Sequence, residues 1–220
     1  MVDDEAFRPE ELRIGLFGWF NPHIFTQAWL EREALLDPES AGTSPEFFES
    51  ETLIAAALGG MHLEVSYDRF VVSTDWVGGE VAKRFVTEVF RRLRHTPVDG
   101  VVISWAWQVD AGPDEDCTLL RLVAGDAATL IPRTMDELSV GAPRTDGLIG
   151  RQRLQVETDD DDQHRLIDIT FVDEIQVSKG EELPTTDEAM ELFDKLWVTS
   201  QEDAHTWRTS LDEVFKERAK

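Results

Sequence analysis

A chain of 220 residues is long enough for one good hydrophobic core, or for two small modules sharing an interface. Its 41% hydrophobic and 9% aromatic content excludes a disordered chain, and 45 acidic against 21 basic residues set a formal net charge of −24, which disfavours direct binding to nucleic-acid phosphates. The lone cysteine, Cys117, excludes an internal disulfide, and no run approaches the ~20 apolar residues that a membrane-crossing helix needs.

The apolar run at 12–20 reads as a buried strand that stops at Asn21 and Pro22. Asn is a favoured N-cap and Pro a favoured first helical residue, so a helix is expected over 22–36, with Ile24, Phe25, Ala28, Trp29 and Leu36 on one face. After a Pro-, Gly- and Ser-rich connection at 37–45, Met61, Leu63, Val65 and Tyr67 alternate with polar residues. Arg69 to Thr74 returns, giving a hairpin turned at Asp68 with one wet face. The period then lengthens. Val81, Ala82, Phe85, Val86, Val89, Phe90 and Leu93 recur at helical spacing over 79–95, interleaved with Lys83, Arg84, Arg91, Arg92 and Arg94, until His95-Thr96-Pro97 closes the helix. Val101, Ile103, Trp105, Trp107 and Val109 alternate in a long strand over 98–110 with one aromatic-rich face.

Gly112 and Pro113 are expected to open a helix within 113–138, and 141–147 reads as a linker. Segments 148–158 and 165–178 form a second hairpin across 159–163. A long helix over 187–215 then buries a stripe of Ala189, Leu192, Phe193, Leu196, Trp197, Ala204, Trp207, Leu211 and Phe215. The expected fold is α+β, a two-layer arrangement of antiparallel hairpins packed on amphipathic helices. The halves 1–112 and 113–220 each carry a hairpin followed by an amphipathic helix, so they read as a pseudo-repeat within one compact unit.

The acid excess repels itself in dilute salt and is screened near 1 M salt, where the Debye length falls to roughly 3 Å. Among the basic residues only Lys83, Lys179, Lys195, Lys216 and Lys220 are lysine; the others are arginine, whose bidentate head pairs well with abundant carboxylates. Because the acid is spread along the whole chain, it reads as the solvated surface of a halophile-type protein rather than as a nucleic-acid mimic or a partner for one basic protein. The first residues carry neither the basic nor the apolar stretch of an export signal, so the expected location is cytoplasmic.

No complete catalytic, metal or cofactor motif is present in the sequence. His23, His62, His95, His164 and His205 are scattered, without the spacing of a zinc site; His62 and Glu64 share a strand face and read as the solvated side of a hairpin. The run Asp159 to Asp162 lacks the turn-forming glycine of a calcium loop and reads as a solvated turn. Asp168, Asp173 and Glu174 offer the carboxylates of a magnesium-dependent hydrolase or nuclease, with no nearby lysine to complete the set. There is no Gly-x-Ser-x-Gly elbow and no phosphate-cradling glycine motif around Gly59-Gly60 or Gly78-Gly79, so no catalytic, metal or cofactor-binding residue is assigned and no cofactor is expected.

Two features point to a contact surface. Arg84, Arg91, Arg92 and Arg94 form the concentrated basic patch, read chiefly as a partner for the surplus acid. Trp105 and Trp107 lie on one strand face, and Trp197 and Trp207 are ten apart on the last helix, near one stripe. Aromatic and arginine side chains carry interface hot spots, so an uncovered aromatic face or sheet edge would be a protein contact. The candidate interface residues are Trp105, Trp107, Arg84, Arg91 and Arg92.

The segment Gly18 to Pro22, with Phe25, Trp29-Leu30, Leu63-Glu64-Val65, Arg69-Phe70 and His95-Thr96-Pro97-Val98, resembles an uncharacterised family of prokaryotic proteins over residues 13–110, and loosely again at Leu196-Trp197 and Ser200. Those relatives tend to carry Gly-Ile-Asn where this chain has Val102-Ile103-Ser104. The resemblance implies no activity and no site residue. The function expected from the sequence is a non-enzymatic interaction or assembly module that recognises another protein or itself, away from any membrane. The alternatives are a carboxylate-metal hydrolase or nuclease, and an acidic decoy for a nucleic-acid-binding protein.

Overall fold

The computed structural model describes residues 7–36, 45–111, 137–144, 148–160, 165–177 and 185–218. Period-two alternation builds the sheet. In β1 (Phe7–Gly18) Leu12, Ile14 and Leu16 are fully buried while Arg13 and Phe17 face out, and β6 (Val98–Ala111) alternates in the same way through Val101, Ile103, Trp105, Trp107 and Val109. These two long strands pair antiparallel at the centre of one sheet with β2 (Glu46–Glu49), β3 (Leu53–Leu58), β4 (Met61–Ser66), β5 (Arg69–Thr74), β7 (Glu137–Pro143), β8 (Gly150–Asp160) and β9 (Arg165–Gln176). The order is β2-β3-β4-β5-β1-β6-β9-β8-β7, with antiparallel pairing throughout.

Helices α1 (Gln27–Arg32), α2 (Gly79–Arg92) and α3 (Thr186–Arg218) complete the α+β fold. The buried face of α2, formed by Ala82, Phe85, Val86, Val89 and Phe90, packs on β5 and β1, and α3 packs on β6 and β9. Phe20, Phe25, Phe70 and Phe90 interlock under α1 and α2, with Phe70 and Phe90 edge to face at 5.1 Å. Hairpin β4–β5 leads to α2 and hairpin β8–β9 leads to α3, the repeated order expected for the two halves.

Three segments differ from what the sequence led one to expect. The 22–36 helix is split: Asn21 accepts a hydrogen bond from the His23 N–H and opens only a 3-10 turn at Pro22–Ile24, while extended Thr26 caps α1 by accepting from the Trp29 N–H. β3 is a full strand, hidden in the sequence because Ala55 and Ala57 on its outward face are apolar and erase the alternation. Gly59 and Gly60, at positive φ, make the tight β3–β4 turn that side chains with a Cβ resist. Part of the expected 141–147 linker is β7, an edge strand, where Pro143 can lack an N–H without breaking a central ladder. The helix expected within 113–138 lies outside the described residues as far as 136, and Cys117 and His164 lie outside them too.

Candidate functional site

α2 and α3 pack against the face of the sheet that Leu12, Ile14, Leu16, Val101, Ile103 and Ile169 line, and the alternate positions, among them Arg13, Glu64, Arg69 and Arg151, lie on the other, open face. Strand register sets Phe48, Ala55, Glu64, Val71, Gly15, Val102, Glu174 and Arg151 in one row across that open face. A depression of about 580 Å³ over β2–β5 has Ala55, Ala57, Val71 and Ser73 as its floor and Phe48, Arg13 and Arg69 along its walls. Phe17 and Phe48 are exposed on this face, and Trp19, at the end of β1, is 73% exposed. Gly18 lets β1 pass close to the next segment there, because a Cβ would sit 2.1 Å from the Pro97 carbonyl oxygen.

The open face carries both signs of charge. Arg8, Arg13, Arg69, Arg151 and Arg153 lie among Glu11, Glu46, Glu64, Glu157, Asp168 and Glu174. Arg13 pairs with Glu11 at 2.8 Å, Arg69 pairs with Glu64, and Arg151 pairs with Glu174 at 3.1 Å. Carboxylates outnumber arginines there, since Glu10 and Asp75 also line the face beside Glu157 and Asp168, but Arg13, Arg69 and Arg151 are each paired with a carboxylate, on a chain whose net charge is −24.

A second feature lies on the helical face. Trp76, Trp105 and Trp197 wall a cavity of about 480 Å³ between the start of α2 and the middle of α3, with Glu80, Glu202, His205 and Arg208 around it. Trp76 stands 5.1 Å from Trp105, and Trp105 stands 5.6 Å from Trp197. Every indole N–H of the three is committed: Trp76 donates to the carbonyls of Glu11 and Ala106, Trp105 to the buried Ser200 hydroxyl at 2.9 Å, and Trp197 to the Glu80 carboxylate at 3.1 Å.

The residues singled out from sequence are divided by this arrangement. Trp105 and Trp107, with 3% and 0% exposure, lie in the core because they share the face of β6 on which α3 packs, so neither presents an exposed sheet surface. Trp105 instead backs the cavity, beside Trp76, which the sequence reading passed over; its position two residues past the end of β5 gave no periodic signal. Trp207 is 41% exposed, since ten helical residues leave it roughly 80° around the helix from Trp197. Arg84 is exposed on α2, and Arg91 and Arg92 pair with Glu88 at 2.6 and 2.7 Å. Arg92 also reaches the Glu33 carbonyl at 2.8 Å, tying the end of α1 to the end of α2. These pairs hold the Glu88 carboxyl below the usual range, the Arg92 hydrogen bond contributing most.

Asp173 faces the helices whereas Asp168 and Glu174 face away, so the three carboxylates do not converge. Among the described residues no group of three His, Cys, Asp or Glu side chains is placed to hold a metal ion. His23 and His62 are exposed, and Glu64 beside His62 is paired with Arg69. No described helix is long and apolar enough to cross a membrane. Compared with known proteins, the chain matches no family model and no curated protein.

Proposed function

We propose that this chain is a non-enzymatic assembly module of a salt-rich cytoplasm, which associates with a second copy of itself through the open face of its sheet. The observation that carries the reading is the run of arginines paired with carboxylates along that face, Arg13 with Glu11, Arg69 with Glu64 and Arg151 with Glu174, on a chain of net charge −24. Two copies of so acidic a chain meet with least repulsion where arginines and carboxylates alternate, and an isologous contact requires a surface that complements itself. The small residues Gly15, Ala55, Ala57 and Ser73 on this face permit close approach of two sheets, and Phe17 and Phe48 supply apolar anchors.

Val71→Glu places a charge in the middle of this face and is expected to abolish association in molar KCl while leaving the circular dichroism spectrum unchanged. Val198→Glu, on the exposed side of α3, is the control and is expected to leave association intact. Equal association of both variants and the wild type overturns the assignment of the face.

A further inference from the structure

We infer that Trp19 is the anchor of self-association and seats in the depression over β2–β5 of a second copy. This role rests on the proposed association through the open face. Extended backbone runs on past the end of β1: the Gly18 and Phe20 N–H groups donate to the carbonyls of Asp68 and Tyr67 on one side, and the Trp19 N–H donates to that of Pro97 on the other. The alternation that buries Leu16 and Phe20 on the helical side therefore turns Trp19 the same way as Arg13 and Phe17, to the open face. At 73% exposure it is the most exposed Phe, Tyr or Trp among the described residues.

The depression supplies what such a side chain needs. Ala55, Ala57 and Val71 give it an apolar floor, Phe48 stands at its wall with 61% exposure, and about 580 Å³ leaves room for an indole. Arg13 and Arg69 keep Glu11 and Glu64 as partners, so an indole that enters separates no charge from its counter-charge. An uncharged anchor also suits a chain of net charge −24, where an acidic one would add to the repulsion between copies. Trp is the residue type most enriched among those that carry interface energy when buried in a partner's pocket. Knob and depression stand on the same face of one chain, and this favours a second copy over a foreign partner, which would use only one of them. About a two-fold axis lying in the contact, midway between the two features, each Trp19 meets the other copy's depression and the assembly closes as a dimer.

Sedimentation equilibrium of the full chain and its variants in molar KCl, over a concentration series, tests the anchor. Trp19→Ser is expected to weaken dimerisation about tenfold or more, and Ala57→Trp, which fills the depression, is expected to weaken it as well. Both changes act on one contact, so the double variant is expected to lose less than the two losses combined. Trp207→Ser removes an indole that is 41% exposed on α3, away from the open face, and is expected to leave dimerisation unchanged. A wild-type dimer that Trp19→Ser leaves intact overturns the anchor while self-association stands, as do fully additive losses or an equal loss in Trp207→Ser. A wild-type chain that stays monomeric at every concentration overturns self-association itself, and the anchor with it.

Discussion

The Arg144 guanidinium at the end of β7 lies against the Asp173 carboxylate of β9 inside the core, with 2% and 0% of the two side chains exposed. Asp173 occupies the face of β9 on which Ile169, Phe171 and Ile175 meet the core, and the same guanidinium also reaches the Thr199 hydroxyl of α3 at 3.4 Å. The pair thus joins the edge strand, an inner strand and the long helix.

Removing one partner of a buried pair strands the other without solvent. Arg144→Ala and Asp173→Ala are each expected to cost about 3–5 kcal/mol, whereas the apolar double replacement Arg144→Met with Asp173→Leu is expected to cost much less. Urea unfolding of the four proteins in a double-mutant cycle reads the coupling. Single variants that each lose under about 1 kcal/mol contradict the buried pairing.

Capping in the first connection is shared by two residues. Thr26→Ala removes the acceptor for the Trp29 N–H at 3.3 Å and is expected to cost about 1 kcal/mol. Asn21→Ala removes the acceptor for the His23 N–H, but it caps a turn of only three residues and is expected to cost less than the Thr26 change. Equilibrium unfolding that ranks them in reverse contradicts the split of this helix.

The Glu88 carboxyl is held low by Arg92 and, to a lesser degree, Arg91. A carboxyl whose folded pKa is depressed contributes stability above its unfolded value, near 4.3, and loses that contribution as pH falls through the folded value. Arg92→Ala is expected to move the Glu88 midpoint upward in a carboxyl-carbon NMR titration. An unchanged midpoint would show that the pair does not hold in solution.

Much of the architecture was legible from local pattern. The long strands, the two hairpins feeding α2 and α3, and the amphipathic stripes follow from periods of two and 3.6 that each bury one face. What escaped was information carried by tertiary neighbours. Ala55 and Ala57 disguise β3, and Pro143 disguises β7 until its edge position is known. Asp173 looked like one of three converging carboxylates, although strand parity alone sets it on the face opposite Asp168 and Glu174. The tryptophan cavity was half visible: Trp105 and Trp197 stood out on their elements, but only the packing of α3 on β6 brings them beside Trp76.

Salt should act on the whole surface through the net charge of −24. Raising chloride from about 0.1 M to above 1 M shortens screening from roughly 10 Å to 3 Å, so the melting temperature is expected to climb steeply at first and then flatten. Sulfate also stabilises by exclusion from the protein surface, and the comparison is therefore made at equal ionic strength. A melting temperature that is flat in chloride and rises only in sulfate contradicts a halophile-type surface.

Self-association through the open face is tested most directly by sedimentation equilibrium of the unmodified chain in molar KCl, over a concentration series, against its chain mass of 25.0 kDa. The mass is expected to rise towards twice that value with concentration, and to fall back as KCl is diluted and the acidic surfaces repel again. A mass that stays at 25.0 kDa at every concentration in molar KCl contradicts it.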